Sequence, residues 1–262
     1  MKNPKAYAIY GDYLSRDGRN QEALKAYKKA VQLEGGNRFK IWEQILLIEA
    51  QSERYDSLAV DASAAVELYP NQPLPYLFAG MAYSMLGDAF EAVGYLEDGL
   101  NYVLGNARLK EQFYTQLASA YHELGEHEKS DANFEKALAL NDQNPTVLNN
   151  YAYYLSVRGQ KLDRALEMTK KSNRLEESNP VFMDTWAWVL YKKGNYAEAL
   201  AKMEQLLKLG VGNNGEVLEH YGDILYKNGR VAEAIVQWKK ARSTGMASGN
   251  IDQKINREKL VE

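Results

Sequence analysis

Small and apolar residues recur along this chain in a fixed order. Gly11, Gly80, Ala118, Ala152, Ala187 and Gly222 are each followed three positions later by Leu or Tyr and seven positions later by Gly. Past that glycine come an Ala or Ser, a bulky side chain and another small residue. The run Gly11-Leu14-Gly18-Ala23-Tyr27-Ala30 is matched by Gly80-Tyr83-Gly87-Ala92-Leu96-Gly99, by Ala118-Tyr121-Gly125-Ser130-Phe134-Ala137 and by Gly222-Leu225-Gly229-Ala234-Trp238-Ala241. Each run predicts a first helix, a short turn and a second helix. The turn falls at Gly18, Gly87, Gly125, Gly159, Gly194 and Gly229, because a helix C-cap takes a positive φ that glycine adopts without steric cost. Pro73, Pro145 and Pro180 stand where a first helix begins, a position whose N–H has no partner to lose. Small residues such as Ala92, Ala165 and Ala199 let paired helices approach closely, and Tyr27, Phe134 and Trp238 fill the space beside them.

With a period of about 34 residues, this pattern resembles the tetratricopeptide repeat, a helix-turn-helix unit. The resemblance implies an all-α fold: a right-handed superhelical solenoid of antiparallel helix pairs, each burying its face on its neighbours. The expected units are 4–38, 39–72, 73–110, 111–144, 145–179, 180–214 and 215–248, with a capping helix at 249–262, forming a single solenoid over 1–262. The second unit departs from the pattern. It has Glu53 in place of the turn glycine and Leu46 in place of the small residue, yet Trp42, Ile45, Tyr55, Ala62, Ala65 and Pro70 stay in phase. The third carries extra residues from Asn106 to Lys110, expected in its second helix or the loop after it. The fifth has an insertion at Gln160-Lys161. The block from Asn149-Asn150-Tyr151 to Trp238-Lys239-Lys240-Ala241 also resembles the end of bacterial repeat proteins, many of them exported or lipid-anchored.

Composition narrows the partners. Against 35 acidic residues stand 32 basic ones, a net charge of −3. A phosphate-binding surface needs a basic excess or stripe, so nucleic acid is not the expected partner. No run of 18 apolar residues exists, so no membrane span is expected. Cysteine is absent, which excludes disulfides, thiolate metal sites and cysteine nucleophiles without fixing a compartment. Met1-Lys2-Asn3-Pro4 leads straight into the first helix with no secretory signal. Two readings stay open: a complete cytoplasmic protein, or a fragment of a longer exported, envelope-associated one.

Two motifs mimic chemistry. Gly210-Val211-Gly212-Asn213-Asn214-Gly215 spells the dinucleotide fingerprint, but that loop needs a preceding strand, and here a second helix precedes it. His122-Glu123-Leu124-Gly125-Glu126-His127 evokes a zinc protease, whose histidines must lie four apart on one continuous helix. These are five apart with the turn glycine between them, and His127 is expected as a packing residue. His220 has no Ser or Asp arrangement suggesting a triad. No enzyme, cofactor, metal site or catalytic residue is expected.

In the family this chain resembles, ligands lie along a concave groove lined by the first helices. Spacing places Met81 of the third unit, Thr115 and His122 of the fourth, and Asn149 and Tyr153 of the fifth on that face. Asp184, Trp188 and Tyr191 of the sixth unit and Glu219, Asp223 and Tyr226 of the seventh complete it. Chaperone-binding members grip a terminal carboxylate with Lys and Asn at places held here by Ala8, Asp12, Glu43, Leu47, Leu77 and Met81, so that clamp is absent. Acidic groups beside Trp188, Tyr191 and Tyr226 instead favour an extended segment carrying Lys or Arg and an apolar anchor. A cation over an indole face contributes about 0.5–2 kcal/mol. The competing reading is structural: the aromatics pack on the neighbouring first helix and the acids form a solvated face. The expected function is a non-catalytic scaffold that binds a peptide or partner protein. The alternatives are a self-associating module, a homodimer through exposed apolar faces, and an adaptor arm of a larger envelope-associated protein.

Overall fold

The described residues, 3–245 and 247–261 of a computed structural model, form fifteen helices and no strand. They divide into two compact units, residues 1–140 and 141–262. The first unit holds four helix pairs: α1 (Pro4–Arg16) with α2 (Asn20–Val31), α3 (Phe39–Gln51) with α4 (Tyr55–Leu68), α5 (Pro73–Met85) with α6 (Ala89–Leu100), and α7 (Ala107–Glu123) with α8 (His127–Leu140). The second holds three more: α9 (Pro145–Val157) with α10 (Leu162–Leu175), α11 (Pro180–Lys192) with α12 (Tyr196–Leu207), and α13 (Gly215–Lys227) with α14 (Val231–Ser243). A short terminal helix, α15 (Ile251–Arg257), packs on α14. Within each unit every second helix touches the first helix of the next pair, and successive first helices touch along α3, α5 and α7 and along α9, α11 and α13.

Local sequence sets the ends of these elements. The side chains of Asn3, Asn106, Asn144, Asn179 and Asn214 each accept a hydrogen bond from a backbone N–H in the first turn of α1, α7, α9, α11 and α13, at 3.0–3.2 Å for the shortest bond of each. A cap of this kind is worth about 1 kcal/mol. At the other end of each first helix the six expected turn glycines lie in the left-handed region, with φ from 66° to 83°. Glu53 adopts the same conformation at φ 54°, so the second pair turns as the others do without a glycine. The extra residues after Asn106 correct the sequence expectation. They lengthen α7 at its start, because the Asn106 carboxamide caps a helix beginning at Ala107 rather than extending α6.

Why the first small position of each run must be small is visible in the packing. A Cβ added at Gly222 would lie 2.4 Å from Trp238, and one at Gly80 would lie 2.4 Å from Leu96. The bulky side chain of the second helix rests directly on first-helix backbone. Trp238, Tyr27, Phe134 and Leu96 are accordingly among the most deeply buried side chains.

One charged network lies inside the first unit. Lys28 of α2 reaches Glu49 of α3 at 2.7 Å and Asp61 of α4 at 2.6 Å, tying three successive helices together. Burial pushes the Glu49 carboxyl above its ordinary range, against the pull of the Lys28 ammonium.

Candidate functional site

Of the expected groove residues in the first unit, Met81 is half-buried and packs on the apolar core. The Thr115 hydroxyl donates to the Glu111 carbonyl at 2.8 Å, a bond internal to α7. His122 is also half-buried, while His127 is exposed at the start of α8, contrary to the packing role expected of it. The turn between them brings their rings to 5.2 Å. Among the described residues no cluster of three or more His, Cys, Asp or Glu is placed to hold a metal ion.

The second unit brings the expected residues together. Five of them, Tyr153 from α9, Trp188 and Tyr191 from α11, and Glu219 and Asp223 from α13, line one cavity of about 630 Å³. Tyr226 is not among the residues lining it; its ring lies 5.8 Å from that of Trp238. Asn149 is buried, with a long contact of 3.4 Å from its amide nitrogen to the Asn150 oxygen.

Aromatic rings build the wall of this cavity. The Trp188 indole stacks on the Tyr191 ring at 4.8 Å and on the His220 imidazole at 4.1 Å, with planes within 17° of parallel in both cases. Lys192 stands 5.7 Å from the same indole, so a cation of the chain itself already sits near that ring. His220 Nδ1 lies 2.9 Å from Asp184 Oδ2. Burial pulls the His220 pKa down, but the Asp184 carboxylate, with Glu216 and Asp223 nearby, outweighs burial and holds it above the usual value. The Tyr153 hydroxyl donates to Glu216 at 3.1 Å, and burial together with that carboxylate raises the phenol pKa.

Two polar atoms on α11 are left over. Asp184 Oδ1 and Trp188 Nε1 are buried and have no hydrogen-bond partner among the described residues. They are four residues apart, one turn along the same face. Asp184 also lines a second hollow of about 380 Å³, together with Val181, Val217, Asn213 and Glu216. Glu216 borders both hollows.

The acidic pair on α13 is engaged by the chain's own C-terminal segment. Lys254 Nζ of α15 donates to Glu219 Oε1 at 2.7 Å and to the two oxygens of Asp223 at 2.9 and 2.7 Å. The backbone N–H and hydroxyl of Ser248 also donate to Glu219, and Trp238 Nε1 donates to Asp223 at 2.9 Å. These donors hold the Glu219 carboxyl below its usual range in spite of burial, whereas burial keeps that of Asp223 above its own.

Sequence reasoning missed Glu216, His220, Lys192, Tyr196 and Lys254 as lining residues. Glu216, His220 and Asp223 follow helical spacing, so the row already drawn through Glu219 and Asp223 leads to them when carried one turn back. Nothing in the repeat pattern could reveal Lys254, which lies outside the period.

Comparison with known proteins bears on the fold. Family models of the tetratricopeptide repeat match residues 4–37, 111–144 and 185–241. No curated protein matches the chain. A tetratricopeptide repeat protein from Parabacteroides merdae of known structure is 15% identical over 97% of this chain and 98% of its own, with a TM-score of 0.76. The APC/C hetero-tetramer Cut9–Hcn1 gives 12% identity over 96% of this chain and 48% of the matched chain, with a TM-score of 0.78. The human IFIT1 dimer with m7Gppp-AAAA gives 16% identity over 98% of this chain and 62% of the matched one, with a TM-score of 0.70. At these identities the likeness is one of fold. No described helix is long and apolar enough to cross a membrane.

Proposed function

The chain is a tetratricopeptide-repeat protein, and from that premise we propose that its second unit binds an extended segment of a partner protein along the shared face of α9, α11 and α13. The repeat is in general a scaffold for protein–protein interaction, and its members are typically non-catalytic. The observation that carries the finer reading is the pair of orphaned atoms on α11. A buried polar atom without a partner costs about 1–3 kcal/mol. A peptide backbone offers a carbonyl for Trp188 Nε1 and an N–H for Asp184 Oδ1; both atoms are covered in the free chain, so the two side chains must turn toward a bound strand to pair with it. Val181 and Val217 beside Asp184 suit an apolar anchor, and the exposed Glu216 suits a lysine or arginine of the same segment. The exposed Glu216 carboxylate, which borders both hollows, disfavours a phosphate there, which argues for a protein over a nucleic-acid ligand.

The test is a peptide array probed with the labelled protein, followed by calorimetric titration of the best ligand onto wild type, Glu216→Gln and Trp188→Ala. A groove ligand enriched in Lys or Arg beside an aliphatic residue, weakened by both substitutions, supports the reading. Ligands indifferent to both in folded variants overturn it.

A second reading has its own observation. Helix α1 exposes Ile9, Tyr10 and Tyr13 at 68%, 50% and 64% of their surface. That apolar face fits self-association through the first unit. Sedimentation of Ile9→Glu beside wild type tests it, because a dimer lost in the variant identifies the contact and a wild-type monomer dismisses it.

A further inference from the structure

Helix α15 is the one element whose hold on the molecule resembles a ligand in a site. Its seven residues fall short of the roughly 12–15 that an isolated helix needs in water, so docking holds it in shape. The segment leading to it carries Gly245, at φ 73°, and Gly249. Its apolar grip is Ile251 and Ile255, both in the core cluster of the unit. Its polar grip converges on one ammonium. Lys254 is 5% exposed, and its partners Glu219 and Asp223 are 6% and 4% exposed.

We infer that the seat of α15 is a receptor for a partner helix with a lysine between two aliphatic residues, and that the chain fills it in cis with Ile251, Lys254 and Ile255 until such a partner displaces α15. This rests on the reading that the α13 face binds a protein.

The electrostatics dictate the chemistry of the exchange. If α15 left alone, Glu219 and Asp223 would lose the ammonium they share and stand one helical turn apart as like charges, which opposes the departure. A replacement that brings its own ammonium keeps the carboxylates paired, so the swap is close to neutral at this seat. Contacts that only the partner makes, along the adjoining wall of Tyr153, Trp188 and Glu216, then decide the direction. The seat suits lysine better than arginine. A compact ammonium with three donors meets one oxygen of Glu219 and both of Asp223, whereas a planar fork pairs best with a single carboxylate.

The probe is a fluorescent synthetic peptide of residues 247–261, titrated by anisotropy onto the chain of residues 1–262. Wild type is compared with Ile255→Asp, which loosens α15 without touching the acidic pair, and with Lys254→Gln, which removes the charge alone. Both variants are expected to bind the peptide at least tenfold more tightly than wild type, and a peptide carrying Gln at the lysine position is expected to bind neither. Amide exchange in α15 of wild type should quicken at saturating peptide. Folding of each variant is read from its thermal transition, and Lys254→Gln decides the matter if Ile255→Asp does not fold. The inference is overturned if the loosened chains bind no better than wild type, or if the peptide binds without quickening exchange in α15. Neither result touches the α11 groove, whose own test is the loss of array ligands in Glu216→Gln and Trp188→Ala.

Discussion

The indole of Trp188 and the imidazole of His220 lie 4.1 Å apart with their planes 17° from parallel, and Asp184 Oδ2 lies 2.9 Å from Nδ1 at the edge of the imidazole. Charge on His220 therefore strengthens both contacts. Because the folded pKa is raised above the unfolded one, this contribution is complete below about pH 6.5 and is lost as pH rises through the folded value. The thermal transition of wild type should fall between about pH 6 and about pH 9 by more than that of His220→Gln. Parallel curves for the two proteins would show that the imidazolium contributes nothing.

Glu216 is exposed and accepts a hydrogen bond from the Tyr153 hydroxyl at 3.1 Å. Glu216→Gln should leave the thermal transition within about 0.5 kcal/mol of wild type while weakening a cationic ligand several-fold, more at low salt than at high. Trp188→Ala differs in kind. It should weaken the ligand by about 2 kcal/mol and also lower stability, since the stacks on Tyr191 and His220 go with it. Calorimetry of both variants, with and without ligand, separates the two effects.

Two glycines make opposite predictions. Gly222→Ala drives a methyl to 2.4 Å from Trp238, and the clash should cost about 1–3 kcal/mol. Gly94, inside α6, has nothing within 4 Å of an added Cβ, so Gly94→Ala should stabilise by about 0.5–1 kcal/mol through helix propensity alone. Denaturant melts of the two variants should move their midpoints in opposite directions.

Lys28 links Glu49 and Asp61, and Glu49 has no exposed surface. Lys28→Met strands that carboxylate. With 34% of the lysine side chain exposed, the cost should sit at or below the lower end for broken buried pairs, about 2–3 kcal/mol. The double substitution Lys28→Met/Glu49→Leu should recover most of it, and a double-mutant cycle showing no coupling would refute the pairing.

Much of the fold was legible because its instructions are local. A glycine seven residues after a small residue marks a left-handed turn whatever surrounds it, and the six positions read this way all adopt positive φ. Glu53 makes the same turn with the wrong residue, which no glycine rule detects. The residues after Asn106 were legible as an insertion but not as the start of α7, because the capping bond from Leu109 shows only in three dimensions. In the candidate site, helical spacing delivered Tyr153, Trp188, Tyr191, Glu219 and Asp223 to one hollow. It could not show that the last two are met by Lys254, since that contact spans about thirty residues and joins the repeat to a segment outside the period.

Asparagine caps at the head of α1, α7, α9, α11 and α13 have a kinetic consequence. Each cap and each turn is closed by residues near in sequence, so a helix pair can nucleate before its neighbours exist. Contacts then spread from pair to pair, with little loop entropy lost at any step. Such a chain has several places to start folding and no single indispensable one, so a lesion at one pair slows its own closure and leaves the more distant pairs free to form.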